Sequence, residues 1–382
     1  MSNTETTLSD NIKSTLQKWK EESQKENKPL HIFLGVDIGG TNTRVAAIKS
    51  GNSNNDATSI EESYILVSKF KSSSLKDLVS SLKVVGEQFV SITGTKPITA
   101  CLDVAGPISD KGCKVSITNY VGENVLHVKD LPEVLFPEGK TIFINDLAST
   151  CEGINFLNQQ NQIQEFFGVL WGNEVKHELK PVNYLVLAMG TGLGCGLLNY
   201  TSSGHEVVAL ETGHTTLSPL GPSHPEYKDE QSLLQFLSNK IYNNQHSPEW
   251  EDICSGRGLV SCYEWASRKN PNASKGLQSI DVVKLAMENK DEEAQKALLL
   301  HYKYLFRSAQ QQSIAFQCKG VFLAGDNQVY NDPFVVQHVN QFKAEFLNHP
   351  KQHWISESAV YRQTKSYNLN LLGCLFRASR MH

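Results

Sequence analysis

Apolar residues fall into two alternating patterns along the chain, short continuous runs and stripes spaced for a helix. The run 31–37 (HIFLGVD), entered from Pro29, reads as a buried strand, and a Gly-Gly-Thr turn leads to a second strand at 43–49. A Gly/Asn/Ser loop at 51–59 separates it from a third strand near 64–70. Over 75–92, Leu75, Leu78, Val79, Leu82, Val85 and Phe89 share one helical face. A strand at 97–104, a hairpin-like piece at 113–118 and a strand at 141–144 follow. The last runs into Asn145-Asp146 and a helix from about 147. Before all of this, Leu8, Ile12, Leu16 and Trp19 recur at helical spacing in a segment whose five Lys and five acidic residues cancel; a docked helix and a frayed tail both fit.

The second half restarts this plan. YLVLAM (184–189) is a buried-type strand ending in Gly190-Thr191-Gly192-Leu193-Gly194, followed by strands at 195–199 and 205–210. Helices are predicted near 230–242, 257–268, 280–289 and 292–317. A strand at 320–324 enters a turn at Gly325-Asp326-Asn327, and 369–379 reads as a short apolar helix. Strand, glycine turn, strand and third strand, then helices, thus occur twice. The pattern predicts an α/β protein of two domains with similar topology, flanking a cleft. The boundaries read from it are an N-terminal extension (1–30), a small α/β domain (31–150) rejoined by a C-terminal helix (365–382), and a larger domain (151–364).

Length supports that division, because 382 residues exceed one ordinary core. The 40% apolar share is that of a globular chain, and 36 basic against 40 acidic residues argue against a coat for nucleic acid or acidic membrane. None of the eight cysteines forms a CxxC pair, so no zinc ribbon or thioredoxin motif is present, and buried reduced thiols are expected. No apolar run approaches the ~20 residues of a membrane helix, and the polar N-terminus carries no signal-peptide pattern. A cytoplasmic location is the expectation.

Five short segments carry candidate chemistry. In Asp37-Ile38-Gly39-Gly40-Thr41-Asn42-Thr43, glycines allow a sharp turn, and backbone N–H groups with the Thr41 and Thr43 hydroxyls can donate to phosphate oxygens. Asp37 can only accept, so beside phosphate it implies a cation, read as Mg²⁺ held through water. A ligand-free hairpin turn is the plain alternative. Gly190-Thr191-Gly192-Leu193-Gly194 lacks the Lys-Ser/Thr of a Walker A loop and opens no helix. It gains weight as a second phosphate-type hairpin in the repeated position. Gly325-Asp326-Asn327 offers acceptors for ribose or adenine, or is an ordinary Asx turn. Asn145-Asp146 places a carboxylate where a helix opens, either as N-cap or as general base for a hydroxyl proton. Glu211, His214 and Glu251 can satisfy paired hydroxyls of a polyol; no HExxH spacing supports zinc.

In the order DIGGTNTR, IND, GTGLG, ETGH, CSGRGLV, these segments resemble the bacterial-type ATP-dependent glucokinases of the actin/Hsp70/sugar-kinase superfamily, and the protist members in particular. The resemblance covers about 31–378. It implies two actin-like (ribonuclease H-like) domains, and transfer of the ATP γ-phosphoryl to the 6-hydroxyl of D-glucose with Mg²⁺. It assigns Asp146 as catalytic base, and Asn119, Asn145, Glu211, His214 and Glu251 as sugar contacts. Asp37, Gly39, Gly40, Thr41, Asn42, Gly190, Thr191 and Gly192 fall in its phosphate loops. Gly325, Asp326 and Asn327 fall in its adenosine segment, where bacterial members carry a glycine pair instead. It also implies a homodimer. Related ROK kinases and repressors carry a cysteine-rich zinc motif with CxC spacing, which this sequence lacks, and no helix-turn-helix pattern precedes residue 31. A non-catalytic sugar or nucleotide sensor, or a kinase for another hexose, remains the alternative.

Overall fold

The computed structural model describes residues 6–40, 42–50, 64–118, 120, 122–174, 178–202, 204–217, 219–270, 272 and 274–381. The chain divides into two compact units, one of residues up to Gln160 together with those from Asn368 onward, the other Asn161–Tyr367.

The first unit begins with helix α1 (Asp10–Glu26), started by the Ser9 side chain on the Ile12 N–H and ended by Asn27 in the left-handed conformation. Strands β1 (Ile32–Ile38), β2 (Thr43–Lys49) and β3 (Ile65–Phe70) follow, then helix α2 (Leu75–Thr93). α1 is docked rather than frayed. Leu8, Leu16 and Trp19 are buried against the apolar face of α2, and Lys20 Nζ donates to the Ile92 carbonyl at the end of that helix (3.2 Å). Strand β4 (Thr99–Val104) leads to short β5 (Ile108–Ser109), β6 (Lys114–Ser116) and β7 (Val125–His127), then to β8 (Thr141–Asn145) and helix α3 (Asp146–Gln159). The main sheet has the order β3-β2-β1-β4-β8, with β1 antiparallel to β2 and parallel to β4. Strands β5, β6 and β7 form a separate small sheet.

The second unit opens with α4 (Ile163–Phe166) and β9 (Phe167–Trp171). Strands β10 (Asn183–Met189), β11 (Leu193–Thr201) and β12 (Gly204–Leu210) form a meander. Helices α5 (Tyr227–Tyr242), α6 (Gly256–Ala266), α7 (Ser279–Met287) and α8 (Glu292–Ala315) precede β13 (Gly320–Ala324), α9 (Asp326–Gln337), α10 (Val339–Leu347) and β14 (Ala359–Gln363). The sheet order is β12-β11-β10-β13-β14-β9. Its first five strands repeat the order and directions of the first sheet, so the two units share the topology that the repeated pattern predicted, in the ribonuclease H-like arrangement that the resemblance implied. The long α8 crosses the core, where Tyr302, Phe306, Phe342 and Trp171 are buried together. A trio of charged side chains is carried into this core. Arg307 donates to both oxygens of Glu230 (2.9 and 3.0 Å) and to Glu345 (2.6 and 2.8 Å), and all three are nearly sealed from solvent.

The last helix, α11 (Leu369–Arg380), belongs to the first unit. It lies against α3 at van der Waals limits. A Cβ on Gly373 would sit 1.8 Å from the Ser149 carbonyl oxygen, and one on Gly153 2.3 Å from that of Leu369. Thr99 Oγ1 donates to the Ala378 carbonyl (2.6 Å), tying the end of α11 to β4.

Strands β9 and β14 and helices α9 and α10 are absent from the sequence reading. FGVLW and AVYRQ are short and have no clean alternation. The segment of α9 carries Pro333 and begins with residues that also favour turns.

Candidate active site

In the first unit, parallel pairing brings the carboxyl ends of β1, β4 and β8 together, and each end carries an acid. Asp37 on β1 is the register partner of Asp103 on β4, and β8 ends at Asn145 with Asp146 opening α3. Carboxyl ends of parallel strands are where open α/β sheets place ligands.

Asp37 is buried, and its Oδ2 is claimed twice. Arg44 Nη1 donates to it at 2.9 Å across the β1–β2 pair, and Asn368 Nδ2, from the residue that caps α11, donates at 2.6 Å. The turn after Asp37 closes through the Gly39 N–H on the Asn42 carbonyl (3.1 Å). Gly40 is exposed there, while Thr41 and the sugar-assigned Asn119 lie outside the described residues. Thr43 departs from expectation. It is fully buried, and its hydroxyl bonds Ser72 Oγ (3.2 Å), which in turn bonds the Tyr120 hydroxyl (2.6 Å), so it braces the turn rather than meeting a phosphate. A water-held Mg²⁺ suits this donor set. Asp37 is a hard oxygen donor, and Mg²⁺ commonly keeps several waters around one or two carboxylates. No cage of three or more metal-binding side chains occurs among the described residues.

Asp103, which sequence reasoning passed over, is 1% exposed. Burial pushes its carboxyl well above the usual range, and the charges of Asp37 and then Asp146 push it further, which favours its protonated form. Ser149 Oγ reaches its Oδ2 at 2.9 Å and opposes the shift. The signal that could have found it is an acid inside a strand whose residues are all buried.

At the β8–α3 junction the two adjacent polar residues divide the work. Asn145, not Asp146, is the N-cap. Its Oδ1 accepts from the N–H groups of Leu147 (2.8 Å) and Ala148 (3.4 Å). Asp146 sits in the first turn, where a negative charge is favoured, with Oδ1 on the Leu147 N–H (3.0 Å).

In the second unit, β10 and β11 are joined by Gly190-Thr191-Gly192, closed by the Gly190 N–H on the Gly192 carbonyl (2.9 Å). The start of α6 is fastened to the same turn through the Gly256 N–H on the Gly190 carbonyl (2.9 Å). Glu251 reaches into it as well. Its Oε2 accepts from the Leu193 N–H (3.0 Å), and its Oε1 pairs with Arg257. A Cβ on Gly192 would fall 2.3 Å from Glu251 Oε2, so a side chain there would have to displace the carboxylate. Glu251 and the glycine hairpin are therefore one connected piece.

Glu211 ends β12, and the 3-10 turn Thr212–His214 follows. His214 Nδ1 is 2.9 Å from Glu249 Oε2. That hydrogen bond raises the imidazole above its ordinary value, with Glu251 and Glu211 adding to the effect and partial burial opposing it. Glu249 and Arg257 are additions to the predicted set. Glu249 is brought to His214 by an antiparallel bridge between Thr216 and Glu249, which sequence spacing cannot show.

β13 lies parallel to β10, so Gly325 emerges beside Met189 at the end from which the glycine hairpin leaves. Gly325-Asp326-Asn327 is not a free Asx turn. Gly325, at φ 100°, is the residue before α9, and Asp326 and Asn327 are its first turn. The Gly325 N–H donates to Gln363 Oε1 (2.8 Å), and Ser366 Oγ donates to Asp326.

The cysteines are all free, and Cys113 is the exposed one. No described helix is long and apolar enough to cross a membrane.

Comparison with known proteins matches residues 34–360 to the glucokinase family model. The chain is 32% identical over 363 residues to a probable glucokinase 2 of Trichomonas vaginalis, covering 92% of this chain and 94% of that one. It is similar in structure to the glucokinase of Balamuthia mandrillaris solved in complex with glucose, at 37% identity and TM-score 0.88, covering 98% of this chain and all of the other. A likeness of fold extends to a ROK family glucokinase from Streptomyces griseus in complex with glucose and AMPPNP, at 16% identity, TM-score 0.58, and coverage of 92% of this chain and 100% of that one.

Proposed function

Because the chain belongs to the glucokinase family, we propose that it transfers the γ-phosphoryl group of ATP to the 6-hydroxyl of D-glucose, giving glucose 6-phosphate and ADP. The observation that carries this reading to named chemistry is the division of labour at the β8–α3 junction. Asn145 takes the capping role that would have explained a carboxylate there, and Asp146 beside it is the general base.

The 6-hydroxyl oxygen forms a bond to the γ-phosphorus as the bond to the β–γ bridging oxygen breaks, ADP leaves, and the hydroxyl proton passes to Asp146. The Leu147 N–H on Oδ1 holds that carboxylate in one orientation. Asn145, Glu211, His214 and Glu251 hold the sugar, with Asn119 as a further contact. Sugar hydroxyls both donate and accept, and carboxylates with an imidazole complement them. The Gly39–Asn42 turn and the Gly190–Gly192 turn supply backbone N–H groups to the phosphates, and Gly325, Asp326 and Asn327 supply the adenosine side. Mg²⁺, held by Asp37 through water, would neutralise charge on the transferring phosphoryl group. With backbone donors and a metal, no cluster of Lys and Arg is needed, in keeping with the net charge of −4. A homodimer and a cytoplasmic location belong to the same reading; light scattering on the full-length protein tests the former.

A coupled ADP-release assay decides the activity. ATP is offered with glucose, mannose, glucosamine and fructose; glucose is offered with ATP, ADP and pyrophosphate in parallel, where formation of glucose 6-phosphate is read instead, because ADP and pyrophosphate as donors release AMP and phosphate. Glucose with ATP is expected to have the highest kcat/KM. A higher value for another hexose overturns the glucose assignment, and no ADP release with any sugar would leave a binding protein.

A further inference from the structure

The loop holding Glu249 is over-determined by its main chain. The Leu217 N–H donates to the Pro248 carbonyl (3.0 Å) and the Trp250 N–H to the Thr215 carbonyl (3.2 Å), lacing the His214 segment to the Glu249 segment. The Glu249 N–H donates to Asp252 Oδ2 (2.9 Å), which also receives the Tyr242 hydroxyl (2.8 Å). The Glu249 carboxylate closes a capping box on the 3-10 turn Trp250–Asp252, and its Oε2 is on His214. The loop thus stands largely without that ion pair.

We propose that Glu249 is a positioning residue for the sugar-binding histidine, holding His214 through Nδ1 so that Nε2 is the atom offered to a sugar hydroxyl. This rests on the reading of His214 as a sugar contact. A carboxylate can only accept, so Nδ1 carries the proton, and Nε2 of the neutral ring is an acceptor with one fixed direction. Without Glu249 the half-exposed ring is free to rotate or to take the other tautomer, which turns that acceptor into a donor. The charged groups around the imidazole are Glu249, Glu251 and Glu211, with Arg257 on Glu251. Glu249 is the largest of the influences raising the imidazole.

The test is steady-state kinetics on Glu249→Ala, Glu249→Gln, His214→Ala and the double variant Glu249→Ala/His214→Ala, with folding checked by circular dichroism and melting. Glu249→Ala is expected to raise KM for glucose about tenfold, leaving kcat and KM for ATP within about threefold. Glu249→Gln keeps an oxygen for Nδ1 and for the cap, so it should recover part of the affinity. The low-pH limb of its kcat/KM profile should move to lower pH, because the charge that raised His214 is gone. The double variant should bind glucose no worse than His214→Ala alone. Unchanged glucose KM in Glu249→Ala, or an equal rise in KM for ATP, overturns the proposal. If His214→Ala raises KM and Glu249→Ala does not, only the positioning role falls. If His214→Ala also leaves KM unchanged, the sugar-side reading of the histidine falls with it.

Discussion

Replacing Asp103 with asparagine swaps an acid whose protonated form the fold favours for a group that is neutral at every pH. Asp103 is walled in beside Asp37, within the field of Asp146, and its carboxyl is raised by burial first and by those two charges next. The unfolded chain releases this proton above about pH 4, whereas the folded chain keeps it to higher pH. The folded state therefore binds more protons in that interval, and stability falls as pH rises through it, by about 1.4 kcal/mol per pH unit. Below the unfolded value the loss is absent. Asparagine has no such slope. Its carbonyl accepts from Ser149 as the carboxyl does (2.9 Å), and its amide can donate to Asp37, so the hydrogen-bond difference is about 1 kcal/mol. Urea unfolding of both proteins from about pH 4 to about pH 8 reads the difference directly. The two should agree within about 1 kcal/mol at the acid end, with Asp103→Asn gaining steadily on the native protein as pH rises. A difference that is flat with pH, with the variant weaker by about 2 kcal/mol or more at neutrality, would refute the argument and make Asp103 ionised in the fold.

Arg307→Met leaves Glu230 and Glu345 buried without their shared cation, and urea unfolding should show a loss of about 3–5 kcal/mol; a loss below about 1 kcal/mol contradicts the buried trio. His301 is fully buried with Nδ1 2.6 Å from the Ile253 carbonyl, and burial lowers it from about 6.5 to about 4. Its contribution to stability is complete above about pH 6.5 and is lost as pH falls toward about 4, on the order of 3 kcal/mol in all. His301→Asn should lack that acid slope, and an unchanged slope would show the charge comes from elsewhere.

The two strand–glycine–strand units were legible because buried strands and glycine turns are local signals, and the fold class followed from their repetition. The residues linked by pairing were not. Asp103 meets Asp37 only through the register of β1 against β4, and in sequence it is one acid in an apolar run. Glu249 meets His214 through a bridge between segments with α5 between them. Local chemistry also misled in both directions. Thr43 follows the glycine turn as a phosphate-contacting hydroxyl would, yet faces Ser72 inside the unit. Gly325-Asp326-Asn327 reads as a turn, but the residues after it include enough buried apolar contacts, Phe334 and Val335 among them, to pull it into a helix. At Asn145-Asp146 the sequence left capping and catalysis open for the acid; the hydrogen bonds of Asn145 give the cap to the neighbouring residue, and the catalytic role of the acid is a proposal.

Asp146 is proposed to take the proton of the accepting hydroxyl. Single-turnover phosphoryl transfer in Asp146→Asn, quenched on the millisecond scale at saturating ATP and glucose, tests it most directly, with glucose affinity measured by calorimetry on the same preparation. Near-native glucose binding is expected, with a transfer rate lower by about two to four orders of magnitude. A rate within about tenfold of the native protein, at full glucose occupancy, would contradict it.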